Sequence, residues 1–109
     1  MLNNRFAYDQ FTAGTDDDRD RLSRDLADEL TRRVRAAADP AEAGGKCIED
    51  LRALGHDLWS FDEDDDFQLW CGNWTAPARA FELTVEITYR ENEPRAVSVS
   101  FKRQSRSLP

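Results

Sequence analysis

The sequence predicts an α+β domain in which two N-terminal helices pack on one face of an antiparallel sheet of about four consecutive strands. Three observations predict it. Leu22, Leu26, Leu30 and Val34 recur at steps of four, which gathers them into one stripe on a helix. From His56 onward the apolar period falls to two, the period of a strand. Turn chemistry separates the strand segments at residues 62–66, at Thr75-Ala76-Pro77-Ala78 and at Glu91-Asn92-Glu93-Pro94. No internal repeat or second boundary interrupts the 109 residues, so a single domain is expected over 1–109.

Residues 1–14 carry Phe6, Tyr8 and Phe11 among polar neighbours, a pattern open to a short strand or to an arm lying over the sheet. Thr15-Asp16-Asp17-Asp18 has the acceptors and the first-turn acids of a helix start. The leucine stripe follows, and Arg32, Arg33 and Arg35 close the helix where its dipole is negative. Asp39-Pro40 breaks this helix and suits the start of another, with aspartate as cap and proline in the first turn. Gly44-Gly45 weakens that start, so the second helix is expected to begin near Gly45. Cys47, Ile48, Leu51 and Leu54 make its inward stripe, and Gly55 is placed to stop it.

Leu58-Trp59-Ser60-Phe61 reads as a short strand and Phe67 to Trp74 as a second. Phe81, Leu83, Val85, Ile87 and Tyr89 alternate cleanly with polar residues in a third. Val97, Val99 and Phe101 alternate with Ala96, Ser98, Ser100 and Lys102 in the last. A basic tail, 103–109, is expected to fray.

Charge excludes several functions. The net charge is −7, and Asp57, Asp62, Glu63, Asp64, Asp65 and Asp66 supply six acids in ten residues with no base among them. The rest of the chain is almost neutral, so the acidity is a patch. Such a patch repels nucleic acid and anionic membranes and attracts a basic protein surface or a divalent cation. The basic clusters (Arg32, Arg33, Arg35 and Lys102, Arg103, Arg106) are short and lack interleaved aromatics, which argues against direct nucleic-acid binding. No apolar run approaches the roughly 18 residues of a membrane span. The start, Met1-Leu2-Asn3-Asn4-Arg5, lacks the basic and apolar blocks of a secretory signal. The cytoplasm is therefore the expected compartment, with Cys47 and Cys71 as free thiols.

Catalytic constellations are poor. Cys47 or Cys71 with His56 and Asp50 or Asp57 is the one conceivable nucleophilic set. Both cysteines read as small core residues, and His56 reads as a residue ending the helix by bonding a free carbonyl. The acids bunch in one turn, where water keeps them ionised. Asp62, Asp64 and Asp66 have the opening spacing of a calcium loop, but Phe67 and Asn73 stand where that loop needs glycine and glutamate. No enzyme activity, cofactor or metal is expected.

A recognition surface fits better. If Phe67, Leu69 and Cys71 face the helices, then Trp70 and Trp74 stand on the outer face beside Glu82, Thr84, Glu86 and Thr88. The alternatives are that the N-terminal arm covers these rings or that a bulge near Gly72 turns Trp74 inward. The expected partner-binding set is Asp57, Asp62, Glu63, Asp64, Asp65, Asp66, Trp70, Trp74, Glu82 and Glu86. Aromatics would anchor a protein partner, and acids would steer it.

In size, in the acidic Phe61-Asp62-Glu63-Asp64-Asp65-Asp66-Phe67 hairpin and in the Leu69-Trp70-Cys71-Gly72-Asn73-Trp74 strand, the chain resembles the immunity proteins of bacterial polymorphic and contact-dependent toxins. The resemblance is one of general character over the whole length. It implies a protein that binds a toxin domain, often a basic nuclease, and blocks its active site; a monomer or weak dimer is expected. Type III secretion chaperones are a second class that the chain is similar to, implying an effector segment as partner; the expected order here departs from theirs in having no C-terminal helix. Phage inhibitors that imitate nucleic acid are a third, although their charge is spread more widely.

Overall fold

In the computed structural model, which describes residues 1–72 and 81–103, the N-terminal segment is helical and belongs to the core. A 3-10 turn at Asn4–Phe6 leads into α1, Tyr8–Ala13. Leu2, Phe6 and Phe11 are buried. The rings of Phe11 and Tyr8 lie 4.7 and 5.9 Å from that of Phe101, centroid to centroid. Of the two conformations open to 1–14, no strand forms; the segment lies over the sheet as an arm, in helical form. Three aromatics are too few to show a period, and what settled their conformation is the core they fill, at about 1.5–3 kcal/mol for each buried large side chain.

Thr15 starts α2, Asp16–Ala36, with a reciprocal cap. Its hydroxyl accepts the Asp18 amide at 3.2 Å, and the Asp18 carboxylate accepts the Thr15 amide at 2.9 Å. Leu26, Leu30 and Val34 of the stripe are fully buried, and Leu22 packs at its margin. Helix α3, Pro40–Ala53, begins five residues before the expected Gly45, with Asp39 accepting the amides of Ala41 and Glu42. Gly44 explains why the glycine pair does not delay it. A Cβ there would stand 2.9 Å from Gln68 Oε1 and 3.0 Å from Ile87 Cδ1, so a bare backbone lets the helix sit close on the sheet. Cys47, Ile48 and Leu51 are buried, and Gly55, at φ 93°, ends the run. The His56 amide donates to Leu51 O and closes the helix. Its ring does something else than expected: it is 2% exposed, with Nε2 2.8 Å from Phe6 O, and it packs edge-on against Tyr8 and Phe11.

The strands are β1, Leu58–Glu63; β2, Phe67–Gly72; β3, Phe81–Thr88; and β4, Ala96–Arg103. They form one antiparallel sheet in the order β1-β2-β3-β4, with the helices on one side of it. Phe81, Leu83, Val85 and Ile87 are buried against the helices, as the clean alternation of this strand requires. Register then decides the neighbouring strand. Gln68 pairs with Ile87 and Trp70 with Val85, so Gln68 and Trp70 share the inner face. Gln68 is buried, donates to Ala41 O and accepts the Trp70 indole N–H at 3.1 Å. The Arg52 guanidinium lies over the Trp70 ring at 5.5 Å.

The expected facing of β2 is therefore reversed: Trp70 packs on the core side, and Phe67, Leu69 and Cys71 point outward. The physical reason is that β2 carries apolar residues on both faces, so its own alternation does not choose between them; pairing with β3 does. Trp74 and the 75–78 connection lie outside the described residues, as does the tail beyond Arg103.

The two sheet edges differ. Thr31 of α2 accepts the Val97 amide at 3.0 Å and donates to the Val97 carbonyl, which seals β4. Arg95 donates to Val34 O and Ala37 O, tying the start of β4 to the end of α2. At the other edge, β1 is buried only at Leu58, whose carbonyl accepts two bonds from Arg52, and its other five residues are exposed. Among the described residues, no helix is long and apolar enough to cross a membrane.

Candidate functional site

The acidic segment is the β1–β2 hairpin. Asp64 makes the turn: its amide donates to Phe67 O at 3.0 Å, and its Oδ1 accepts the amides of Asp66 and Phe67 at 2.7 and 3.1 Å. The Asp62 carboxylate accepts the Glu63 amide. Tyr89, just after β3, donates its amide to Asp66 O at 2.8 Å and fixes the tip to the sheet. Burial pushes the Tyr89 phenol above its usual value, and the carboxylates of Glu63, Asp64 and Asp39 add to this. Asp62, Glu63, Asp64, Asp65 and Asp66 are all exposed, while Asp57 is half-buried.

Among the described residues, none of these six acids forms an ion pair with a basic side chain. Several arginines are engaged elsewhere. Arg33 binds Glu29 and Asp50, Arg5 binds Asp25, and Arg19 binds Asp16 while stacking over Phe81 at 4.7 Å. The hairpin charge is thus left to water, where like charges repel.

The outer sheet face continues from the tip. Register places Trp59 opposite Cys71, Cys71 opposite Thr84 and Thr84 opposite Ser100. The next row is Asp62, Leu69, Glu86 and Ser98, and the row after it Phe67, Thr88 and Ala96. Glu82 stands opposite Lys102 at the far end. A bulge between Ser60 and Asp62 interrupts β1 and carries Phe61, which is 69% exposed. Trp59 is 50% exposed, and its indole N–H donates to Asp57 Oδ1 at 3.1 Å. The face is therefore apolar along β2, mixes Trp59 with Asp62 on β1, and is mostly acidic or hydroxylic along β3 and β4, with Ala96 and Lys102 among them.

Of the expected partner-binding residues, the structure brings Asp57, Asp62, Glu63, Asp64, Asp65, Asp66, Glu82 and Glu86 to the hairpin and outer face. It removes Trp70 to the inner side, and it adds Trp59 and Phe61, which stand outside the expected partner-binding set. Their signal was available: in Leu58-Trp59-Ser60-Phe61 an inward Leu58 forces Trp59 outward. The bulge that exposes Phe61 has no such signal.

The cysteines are free thiols. Cys47 is buried beside Arg33 and Asp50, and burial raises its thiol pKa. Cys71, expected in the core, is half-buried on the outer face, where burial raises its pKa and a hydrogen bond with Thr84 opposes this. Among the described residues, no group of three or more histidine, cysteine or acidic side chains is arranged to hold a metal ion. The depression lined by Arg5, Asp25, Asp28, Glu29 and Arg32 carries both signs of charge, and in it Arg5 pairs with Asp25 and Arg32 with Glu29.

No protein-family model, curated protein or solved structure matches this chain.

Proposed function

We propose that this chain is a non-enzymatic, stoichiometric inhibitor of the immunity type, which docks a basic toxin domain with its acidic hairpin and outer sheet face. One observation carries the reading: five exposed acids, with no ion pair among the described residues, lie next to the half-exposed Trp59 and the exposed Phe61. Uncompensated like charge costs folding stability, and exposed aromatic rings cost solubility, so both together point to a surface completed by a partner. The acids accelerate encounter with a basic surface, and the rings supply area that loses water in the complex. The cytoplasm, where a toxin's producer needs protection, is the compartment this reading requires.

The test uses the product of the adjacent reading frame as partner. Asp65 and Asp66 serve as the charge probes, because Asp64 also holds the turn through its Oδ1. Asp65→Lys with Asp66→Lys is expected to slow association on the order of tenfold at low salt, with a shallower salt dependence and the fold retained. An unaltered association rate would remove the hairpin from recognition.

A further inference from the structure

Trp59 differs from the other described aromatic rings in how it is held. Its indole N–H is fixed on Asp57 Oδ1 at 3.1 Å, while half of its surface stays open. Asp62 lies on the same outer face, one row further along β2, roughly 7 Å on by strand geometry. Trp59 thus has one carboxylate on its indole N–H and a second acidic residue, Asp62, one row on along the same face. Elsewhere this chain stacks its own guanidinium groups on rings: Arg5 on Phe6 at 5.1 Å, Arg19 on Phe81 at 4.7 Å and Arg52 on Trp70 at 5.5 Å. Among the described residues, no cation of the chain lies over Trp59. An indole is also the best of the aromatic faces for a cation.

We infer that the Trp59 face, with Asp57 and Asp62, receives an arginine side chain of the basic partner. The inference rests on the reading of the hairpin and outer face as the docking surface, and it names the contact that anchors it. A planar guanidinium is weakly hydrated and lies flat on the ring while its N–H groups reach the carboxylates. A lysine ammonium, compact and strongly hydrated, gains less from the same place. A second copy of this chain is a poor occupant, since it would bring its own six acids against these.

The test compares nona-arginine and nona-lysine peptides, equal in charge, by calorimetric titration at low salt on the full chain. Trp59→Leu is expected to weaken nona-arginine about threefold to fivefold and nona-lysine less, whereas Asp65→Lys with Asp66→Lys weakens both alike. Trp59→Phe, which keeps a ring and loses the indole N–H, is expected to restore most of the arginine preference and controls for folding. In spectra of the parent chain, the Trp59 indole N–H resonance, assigned from its absence in Trp59→Phe, is expected to shift with nona-arginine. If Trp59→Leu leaves nona-arginine binding unchanged while the charge reversal weakens it, the arginine site is overturned and the acidic reading stands. If neither peptide binds the parent chain, both are overturned.

Discussion

Single side chains in this protein carry separable jobs, and the acids show it best. Asp64 is part of the turn, Asp57 orients an indole, Asp39 caps a helix, and Asp65 and Asp66 have exposed side chains for which no such role is seen. Composition reads them as one class, but geometry divides them. Glu29 has yet another role. Hydrogen bonding to Arg33 above all, with Arg32 adding to it, holds its carboxyl below the usual 4.5 against the opposing effect of burial. The folded state therefore binds the Glu29 proton less readily than the unfolded chain does. Its contribution to stability is complete above about pH 4.5 and is lost as pH falls through the lower folded value. Glu29→Gln is expected to flatten the fall in melting temperature below pH 4.5, measured by circular dichroism across an acid series. A fall as steep as the parent's would mean that other carboxylates, Asp18 among them, govern acid unfolding.

At the scale of elements, α3 and its contact with the sheet are the most sensitive feature. Gly44 and Gly45 are adjacent and chemically identical, yet a Cβ at Gly44 meets Gln68 and Ile87 while one at Gly45 meets nothing within 4 Å. Gly45→Ala is expected to stabilise by about 0.5–1 kcal/mol through helix propensity. Gly44→Ala is expected to destabilise by about 1–3 kcal/mol, because Gln68 is held by Ala41 O and the Trp70 indole and yields only at their expense. Chemical denaturation of the two variants checks the signs, and equal signs would mean that α3 sits further from the sheet. Elements with a strong period were readable in the sequence: α2, β3 and β4 lie where their spacing put them. Residues 1–14, the start of α3 and the facing of β2 were not, since each was settled by a neighbour in space.

For the molecule as a whole, charge is sorted. Arginine–carboxylate pairs lie on the helical side, and the six clustered acids of the β1–β2 hairpin have no such pair among the described residues. Self-repulsion at that hairpin is screened over about 10 Å at 0.1 M salt. Moderate salt is therefore expected to raise the melting temperature of the parent chain. Asp65→Asn with Asp66→Asn is expected to raise it at low salt and to shrink the salt effect, read by thermal scans from 10 to 300 mM sodium chloride. A parent insensitive to salt would show that the hairpin acids carry no strain to relieve.

Charge localisation and the periods of the strongest elements were legible from residue order alone, because both depend only on which side chains follow one another. The fold class came with them. Which face Trp70 takes did not, for β2 is apolar on both sides and only its hydrogen-bonded register with β3 turns Trp70 inward. Facing in such a strand is a property of the pair, so it exists only once the two strands meet.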